Sequence, residues 1–285
     1  MREIQRHGNI TFPIAAYEWH ASEENYMRLE CHRHSEWEFF SMISGSAYVS
    51  VDGVRKLLSA GDVALFHGGS LHMAEAESNL PFKYRAVVFH PNIVYGLGDI
   101  VQTKYIIPFE ENRLNVNPFM IQSEIGGNVV SIFNKLYSLI TETPPVYEIF
   151  GKACLYEMLA TIFSLSGEFD EKSSANYCHS KKIKEIISYI NHNYASPITV
   201  RELAEMANMS QGHFTRLFKR FTAKSPIDYL IGVRLSKALA MLCDTDEKLI
   251  NIAVDTGFNS MSYFIRMFNA YFGCSPSKYR KSNAI

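Results

Sequence analysis

The sequence predicts a multidomain protein with an all-β barrel, an all-α helical hairpin and a C-terminal all-α domain. Up to about residue 110, short aromatic and β-branched runs alternate with turn signals such as Asp52-Gly53, a pattern typical of antiparallel strands. From residue 118 the apolar residues instead recur at helical spacing. The expected domains are the barrel at 1–110, the hairpin at 111–170, a polar linker at 171–180 and the C-terminal domain at 181–285.

Charge is distributed unevenly along the 285 residues. The whole chain carries a formal net charge of −1. Residues 1–179 contain 13 Lys and Arg against 21 Asp and Glu, whereas residues 180–285 contain 15 against 8. The basic C-terminal part is therefore the part to examine for contacts with phosphate groups.

The cysteines and the hydropathy pattern bear on where the protein works. The five cysteines are scattered and form no C-x-x-C pair, which favours reduced thiols over a disulfide or zinc framework. The first residues lack the apolar run of a signal peptide, and no stretch of about 18 apolar residues follows. We therefore expect a cytoplasmic protein without a membrane partner.

The predicted hairpin has two apolar helical faces. Together they carry more apolar surface than is needed to cover a small barrel, so we expect these helices to form a homodimer interface. The first face comprises Val129, Ile132, Phe133, Leu136, Leu139 and Ile140, and the second comprises Leu155, Met158, Leu159 and Ile162.

The C-terminal part contains an internal repeat. Phe214 and Arg216 recur 50 residues later as Phe264 and Arg266, and a Ser-Pro helix start recurs at the same distance. Each copy predicts a short helix, a tight turn and a second helix, which is the helix-turn-helix plan for placing a helix in the DNA major groove. The alternative is an all-α repeat used for protein contacts. The basic charge and an outward arginine in each copy favour DNA.

Several motifs in the second copy resemble the signature of the AraC family of bacterial transcription regulators. They are NIAVDTGF at 251–258, SYFIRMF at 262–268, GCSP at 273–276 and YR at 279–280. The resemblance implies two helix-turn-helix units joined by a long helix, here about 226–243, with both recognition helices in successive major grooves of a double-stranded operator. It also implies a regulator rather than an enzyme, and contact with RNA polymerase if the protein is an activator.

The resemblance assigns base-reading positions in both recognition helices. They are Gln211, Gly212, Thr215 and Arg216 in the first helix and Met261, Ser262 and Ile265 in the second. We add Lys219, Asn259, Ser260 and Arg266 as neighbouring DNA contacts. Two positions depart from the family pattern. Gly212 stands where the family often has a larger base-reading side chain, and Asn269 stands where a basic residue is common. The second helix has few hydrogen-bond donors and is expected to favour thymine methyl groups.

The predicted barrel contains two short motifs that resemble those of cupin barrels. One is H-x-H-x-x-x-E from His32 to Glu38, and the other ends H-x-G-x-x-H at His72, with His67 and Ala76 where proline and asparagine are usual. Residues two apart on a strand share a face, so His32, His34 and Glu38 are expected inside the barrel, where His72 can join them. Three imidazoles and a carboxylate suit a divalent transition metal.

Three interpretations of this cluster remain open. Sensor barrels of the AraC family resemble cupins and frequently use such residues to bind a small effector, so we favour an effector site without metal, cofactor or catalytic residues. The second interpretation is a metal ion at these four residues, and with it a metal-dependent cupin enzyme. Against catalysis, a regulator gains nothing by consuming its signal. The third is that the histidines are structural.

The residues around the cluster indicate the kind of effector. The alternation along the strand places Arg28 and Glu30 inward, and Trp19, Tyr17 or Trp37 could supply a stacking face. Bidentate polar groups beside an aromatic face suit a polyhydroxylated ligand, so we expect a carbohydrate. The predicted effector site is Trp19, Arg28, Glu30, His32, His34, Glu38 and His72.

Overall fold

The computed structural model divides the chain into two compact units, Arg2–Ser180 and Lys181–Ile285. The residues that it describes are 8–9, 11–21, 28–96, 98–111, 114, 116–121, 128–164 and 171–283. No helix in these ranges has the length and apolar character needed to cross a membrane.

The first unit is built on two antiparallel sheets. Among the described residues, one sheet has five strands in the order β1-β8-β3-β6-β9 and the other has four in the order β2-β7-β4-β5. Asp52 and Gly53 both have positive φ values and form the predicted two-residue hairpin turn between β4 and β5. The strands are β1 Ile14–Ala21, β2 Arg28–His32, β3 Trp37–Ser44, β4 Ser46–Val51, β5 Val54–Ser59, β6 Val63–Phe66, β7 His72–Ala76, β8 Phe82–Phe89 and β9 Phe119–Met120.

Strand β3 contributes to two separate cores. Phe40 and Met42 lie in the core between the two sheets, together with small residues of the facing strands such as Ala74. Trp37 and Phe39 point the other way, into a core formed with the helices. Because successive side chains of a strand point to opposite faces, this near-continuous apolar strand is buried on both sides.

The predicted helical hairpin is present, but its apolar faces are covered within the unit. The helices are α1 Ile107–Glu110, α2 Asn128–Glu142 and α3 Tyr147–Ser164. Leu136, Leu155 and Ile162 are buried in the core that includes Trp37 and Phe39. The expectation that these faces form a dimer interface is therefore wrong, because the five-stranded sheet already covers them. The exposed apolar residues of the hairpin are Val146, Ile149, Phe150 and Tyr156.

The second unit is helical, as predicted. The helix at its start begins at Glu171, in the first unit, and so includes the segment predicted as a linker. Residues 171–180 are the beginning of that helix rather than an irregular connection, and residues 165–170 lie outside the described part of the chain. The helices are α4 Glu171–Asn193, α5 Val200–Met206, α6 Gln211–Thr222, α7 Pro226–Asp244, α8 Leu249–Asp255, α9 Met261–Phe272 and α10 Pro276–Asn283.

The two copies of the repeat have the same turn. After α5 the N–H of Met209 donates to the carbonyl of Ala204 at 2.9 Å, and after α8 the N–H of Phe258 donates to that of Ala253 at 2.8 Å. One residue of each turn has the left-handed backbone conformation, Asn208 in the first copy and Gly257 in the second. The helices that follow are capped by the hydroxyls of Ser210 and Ser260. The extra residue of the second copy therefore lies between its turn and its helix cap.

Local capping in this unit also follows the sequence. Thr199 and Glu202 form a reciprocal capping box at the start of α5. Ser225 caps α7, with Pro226 as its first residue. These interactions satisfy backbone N–H groups that have no partner inside the helix.

Burial of the hairpin predicts the effect of truncating its core. Leu155→Ala should lower the free energy of unfolding by about 2–5 kcal/mol, because it leaves a cavity beside the sheet. Lys152→Ala is the matched control on the same helix; Lys152 is exposed, so the change should be within about 0.5 kcal/mol. Urea unfolding followed by circular dichroism measures both. Equal losses would contradict this assignment of the two faces.

Candidate functional site

The first recognition helix, α6, has one buried face and one polar face. Phe214, Leu217 and Phe218 are buried against the rest of the unit. Gln211, Gly212, Arg216 and Lys219 are exposed and Thr215 is half-buried, so the structure leaves all five accessible. A side chain at Gly212 would point into open space, so this helix can approach a surface closely there.

The second recognition helix, α9, presents a more apolar face. Phe264 and Phe268 are its buried residues. Ser262 and Arg266 are exposed, whereas Met261 and Ile265 are half-buried.

Polar residues near the start of α9 are already engaged in part. The Ser260 hydroxyl accepts the N–H of Tyr263 at 3.3 Å, so toward DNA it offers its own O–H and one remaining lone pair. The Arg266 guanidinium lies 5.2 Å from the centre of the Tyr263 ring. Asn259 is exposed just before the cap. This end of α9 therefore supplies mainly polar contacts of short reach.

Helix α7 packs against both copies of the repeat. Near its start the ring of Tyr229 lies 5.6 Å from that of Phe218, and further along Leu235 and Leu242 share a core with Phe264. The two recognition helices are thus supported by opposite ends of one helix.

Arg234, which the sequence analysis did not single out, fixes the middle of α7. Its Nε–H donates to the carbonyl of Tyr194 at 2.7 Å, and its Nη2 donates to that of Ser196 at 2.9 Å. A Cβ at Gly257 would lie 2.9 Å from this Nε, so the turn of the second copy needs glycine for close approach as well as for its φ. Burial lowers the pKa of Arg234. A basic residue within an apolar helix was the available sequence signal.

In the first unit, the four predicted cluster residues come together. Glu38 lies on β3, His72 on β7, His32 at the end of β2 and His34 in the following loop. Nε2 of His34 is 3.2 Å from Oε2 of Glu38, and Nε2 of His32 is 3.1 Å from Nε2 of His72. All except His32 are buried. One potential ligand atom from each residue lies within 4.8 Å of all the others.

Backbone carbonyls orient all three histidine rings. The Nδ1 atoms of His32, His34 and His72 lie 2.8, 3.0 and 3.1 Å from the carbonyl oxygens of Glu30, Glu36 and Ser70. A carbonyl oxygen can only accept, so each Nδ1 carries the proton and donates it. In a neutral ring, Nε2 then presents its lone pair to the cluster.

His72 has the most enclosed ring of the three. Phe66 stacks on it with ring centres 4.4 Å apart, and its strand β7 lies between β2 and β4. Burial, followed by the neighbouring rings of His32 and His34, lowers the pKa of His72 well below its usual value. His72 is therefore neutral and can act as a hydrogen-bond acceptor or a ligand through Nε2.

Two residues of the predicted effector site point elsewhere. The register of β2 against β7 shifts between Leu29 and His32, and this irregularity breaks the strict alternation from which Arg28 and Glu30 were placed inward. Leu29 packs against the core between the sheets, while Arg28 and Glu30 form a 2.6 Å ion pair in which Arg28 is half-buried and Glu30 is exposed. The predicted inward orientation of this pair is wrong.

The candidate stacking residues separate in the structure. Trp19 is half-buried against the core between the sheets, 5.5 Å from the ring of Tyr84. Trp37 is fully buried in the core with the helices, where its Nε1–H donates to Glu110 at 2.9 Å. Trp19 is on the same side of the five-stranded sheet as the cluster, but Trp19 pairs with Tyr84 whereas Glu38 pairs with Val88. The register therefore places Trp19 four residues along the sheet from the cluster. Tyr17 is largely exposed.

Comparison with known proteins covers both units. Residues 11–159 match the model of the AraC-like ligand binding domain, and residues 203–282 match that of a helix-turn-helix domain. The chain belongs to the AraC family. This AraC-family protein is a DNA-binding transcription regulator with a ligand-binding domain, and not an enzyme.

Relatives of this AraC-family regulator align with much of its length. It is 24% identical to the regulator YdeC of Bacillus subtilis strain 168, over 100% of this chain and 97% of that protein. It is 25% identical to the lactose operon transcription activator of Staphylococcus xylosus, over 85% and 82%. The DNA-binding domain of AdpA, solved with a target DNA, is 28% identical over 35% of this chain and 91% of that one, with a TM-score of 0.35.

The different surfaces of α6 and α9 predict different effects on sequence preference. Arg216→Ala should relax preference at one or two operator positions, because an exposed arginine among polar residues can contact guanine, worth about 1–3 kcal/mol. Arg266→Ala should weaken binding to all operator sequences by the same factor. It should also reduce the slope of the logarithm of the binding constant against the logarithm of salt concentration by about one, as expected for a phosphate contact. Binding to a library of single-base operator variants measures both effects. A changed base preference only in Arg266→Ala would reverse the assignment.

Proposed function

We propose that this AraC-family regulator reads a double-stranded operator with α6 and α9 and responds to a carbohydrate bound in its N-terminal barrel. The observation that carries the DNA-binding mode is the duplicated unit supported by α7, which exposes an arginine at the same position of each recognition helix. The proposed DNA contacts are Gln211, Gly212, Thr215, Arg216, Lys219, Asn259, Ser260, Met261, Ser262, Ile265 and Arg266.

The effector proposal rests on the polar cluster between the two sheets. Its imidazoles and carboxylate can exchange hydrogen bonds with the hydroxyl groups of one sugar ring, and the half-buried Trp19, four residues further along the sheet, can cover the C–H face of a second ring. The likeness to a lactose operon activator over most of both chains supports a sugar. The proposed effector residues are Trp19, His32, His34, Glu38 and His72. Arg28 and Glu30, paired with each other, are left out of this site.

We also propose that the regulator works in the cytoplasm as a homodimer, and contacts RNA polymerase if it activates transcription. The proposed dimer surface is the exposed start of α3, where Ile149 and Phe150 follow Val146. Neighbouring exposed apolar side chains on one short segment are typical of an interaction surface.

A thermal-shift screen of the full chain against monosaccharides and disaccharides tests the effector proposal. A bound sugar at 100 times its Kd should stabilise the folded state by about 2.7 kcal/mol and raise the Tm. Trp19→Ala should lose this shift, whereas His20→Gln on the same strand should keep it. If no sugar raises the Tm, or if Trp19→Ala responds like the original chain, the proposed effector site is wrong.

Substitution at the start of α3 tests the dimer. Ile149→Glu with Phe150→Glu should give a folded monomer, because two charges would be buried without partners at the interface. Ile100→Glu, a change at another exposed isoleucine, is the control and should remain dimeric. Light scattering gives the mass, and circular dichroism checks folding. A double variant that stays dimeric would place the interface elsewhere.

A further inference from the structure

We propose that the barrel of this regulator binds one divalent transition-metal ion through Nε2 of His32, His34 and His72 and a carboxylate oxygen of Glu38. From the sequence alone we expect an effector site without metal. The ring orientations and the distances between the four side chains lead to the opposite conclusion.

The distances suit a single ion. Nitrogen and oxygen ligands bind zinc at about 2.0–2.2 Å, so two ligands of one tetrahedral ion lie about 3.3–3.6 Å apart. The His32–His72 and His34–Glu38 pairs lie at 3.1 and 3.2 Å, and His72 is 3.8 Å from Glu38. No two of the four ligand atoms are more than 4.8 Å apart. Small side-chain adjustments therefore bring all four atoms onto one centre.

The ring orientations indicate what the cluster accommodates. Since each Nδ1 donates to a backbone carbonyl, the Nε2 atoms of His32 and His72, 3.1 Å apart, face each other with lone pairs when both rings are neutral. Two facing lone pairs repel, and a cation between them converts that repulsion into two bonds. A carbonyl that accepts the second ring N–H is also the usual outer contact of metal-bound histidine.

The surrounding structure holds the ligands in place. They come from both sheets, since β2 and β7 belong to one and β3 to the other. Phe66 packs on the ring of His72, and β3 is buried on both faces around Glu38. A donor set dominated by imidazole selects zinc, iron, nickel or cobalt over magnesium and calcium, which prefer oxygen ligands.

The metal site also suggests how an effector is recognised. Four protein ligands leave further positions on a five- or six-coordinate ion, and His32 is the ligand that is not fully buried. An effector that enters beside His32 would coordinate the ion through hydroxyl or carboxylate oxygens. This second step rests on the proposed effector function, whereas metal binding does not.

Metal retention by the full-length protein tests the site directly. The apo-protein is loaded with Co²⁺ or Zn²⁺, dialysed and measured by plasma mass spectrometry, with about one ion per chain expected. Bound Co²⁺ should also give a visible d–d spectrum that Zn²⁺ abolishes. His32→Gln and Glu38→Gln should each weaken Co²⁺ binding at least about tenfold, as expected when a ligand is lost. His20→Gln removes a histidine outside the cluster and should leave binding unchanged.

The outcomes separate the two proposals. Stoichiometry well below one ion, or Co²⁺ affinity unchanged in both folded variants, would overturn the metal site. Because His32 is partly exposed, His32→Gln keeps the test decisive if Glu38→Gln does not fold. Metal binding is measured without sugar, so it can hold even if the carbohydrate proposal fails. A sugar-induced rise in Tm that is the same with and without metal would refute coordination of the effector by the ion.

Discussion

Burial of β3 on both faces is the constraint on which the N-terminal unit depends. One face of the strand packs on the other sheet and the opposite face packs on α2 and α3, so neither can be solvated. Glu38 is placed in this strand, and a buried carboxylate is costly unless other groups compensate its charge. The three histidines around Glu38 give their Nδ1 protons to backbone carbonyls, so as neutral rings they do not compensate that charge. In the proposed metal site the bound cation does.

In the C-terminal unit, α7 has the equivalent structural role. Its apolar residues complete the core behind each recognition helix, and Arg234 attaches its middle to the loop after α4. The exposed residues of α6 and α9 can therefore differ without affecting the buried core on which each helix packs. Arg216 and Arg266 occupy matching positions, yet their neighbours differ in polarity. The two copies of the repeat therefore have equivalent buried cores, while their recognition helices expose different residues.

The features that could be predicted from sequence are those set by local interactions. The Thr199 cap, the Ser225 cap and the repeated turns depend on residues a few positions apart, and the structure has them as expected. The inward placement of Arg28 and Glu30 failed because an irregularity in strand register changes which residues share a face. The hairpin shows the other limit: periodicity identified the apolar faces, but not whether a sheet or a second subunit covers them.

The shared helix α7 has a consequence for the DNA on the proposed mode of binding. Both recognition helices belong to one folded unit. The distance between them is therefore fixed, unlike the distance between two domains joined by a flexible linker. The two segments of an operator must then keep a fixed helical phase. Inserting one base pair between them would turn one segment by about 35° relative to the other, since B-DNA has about 10–10.5 base pairs per turn. Operators for this regulator should tolerate changes of sequence between the segments far better than changes of length.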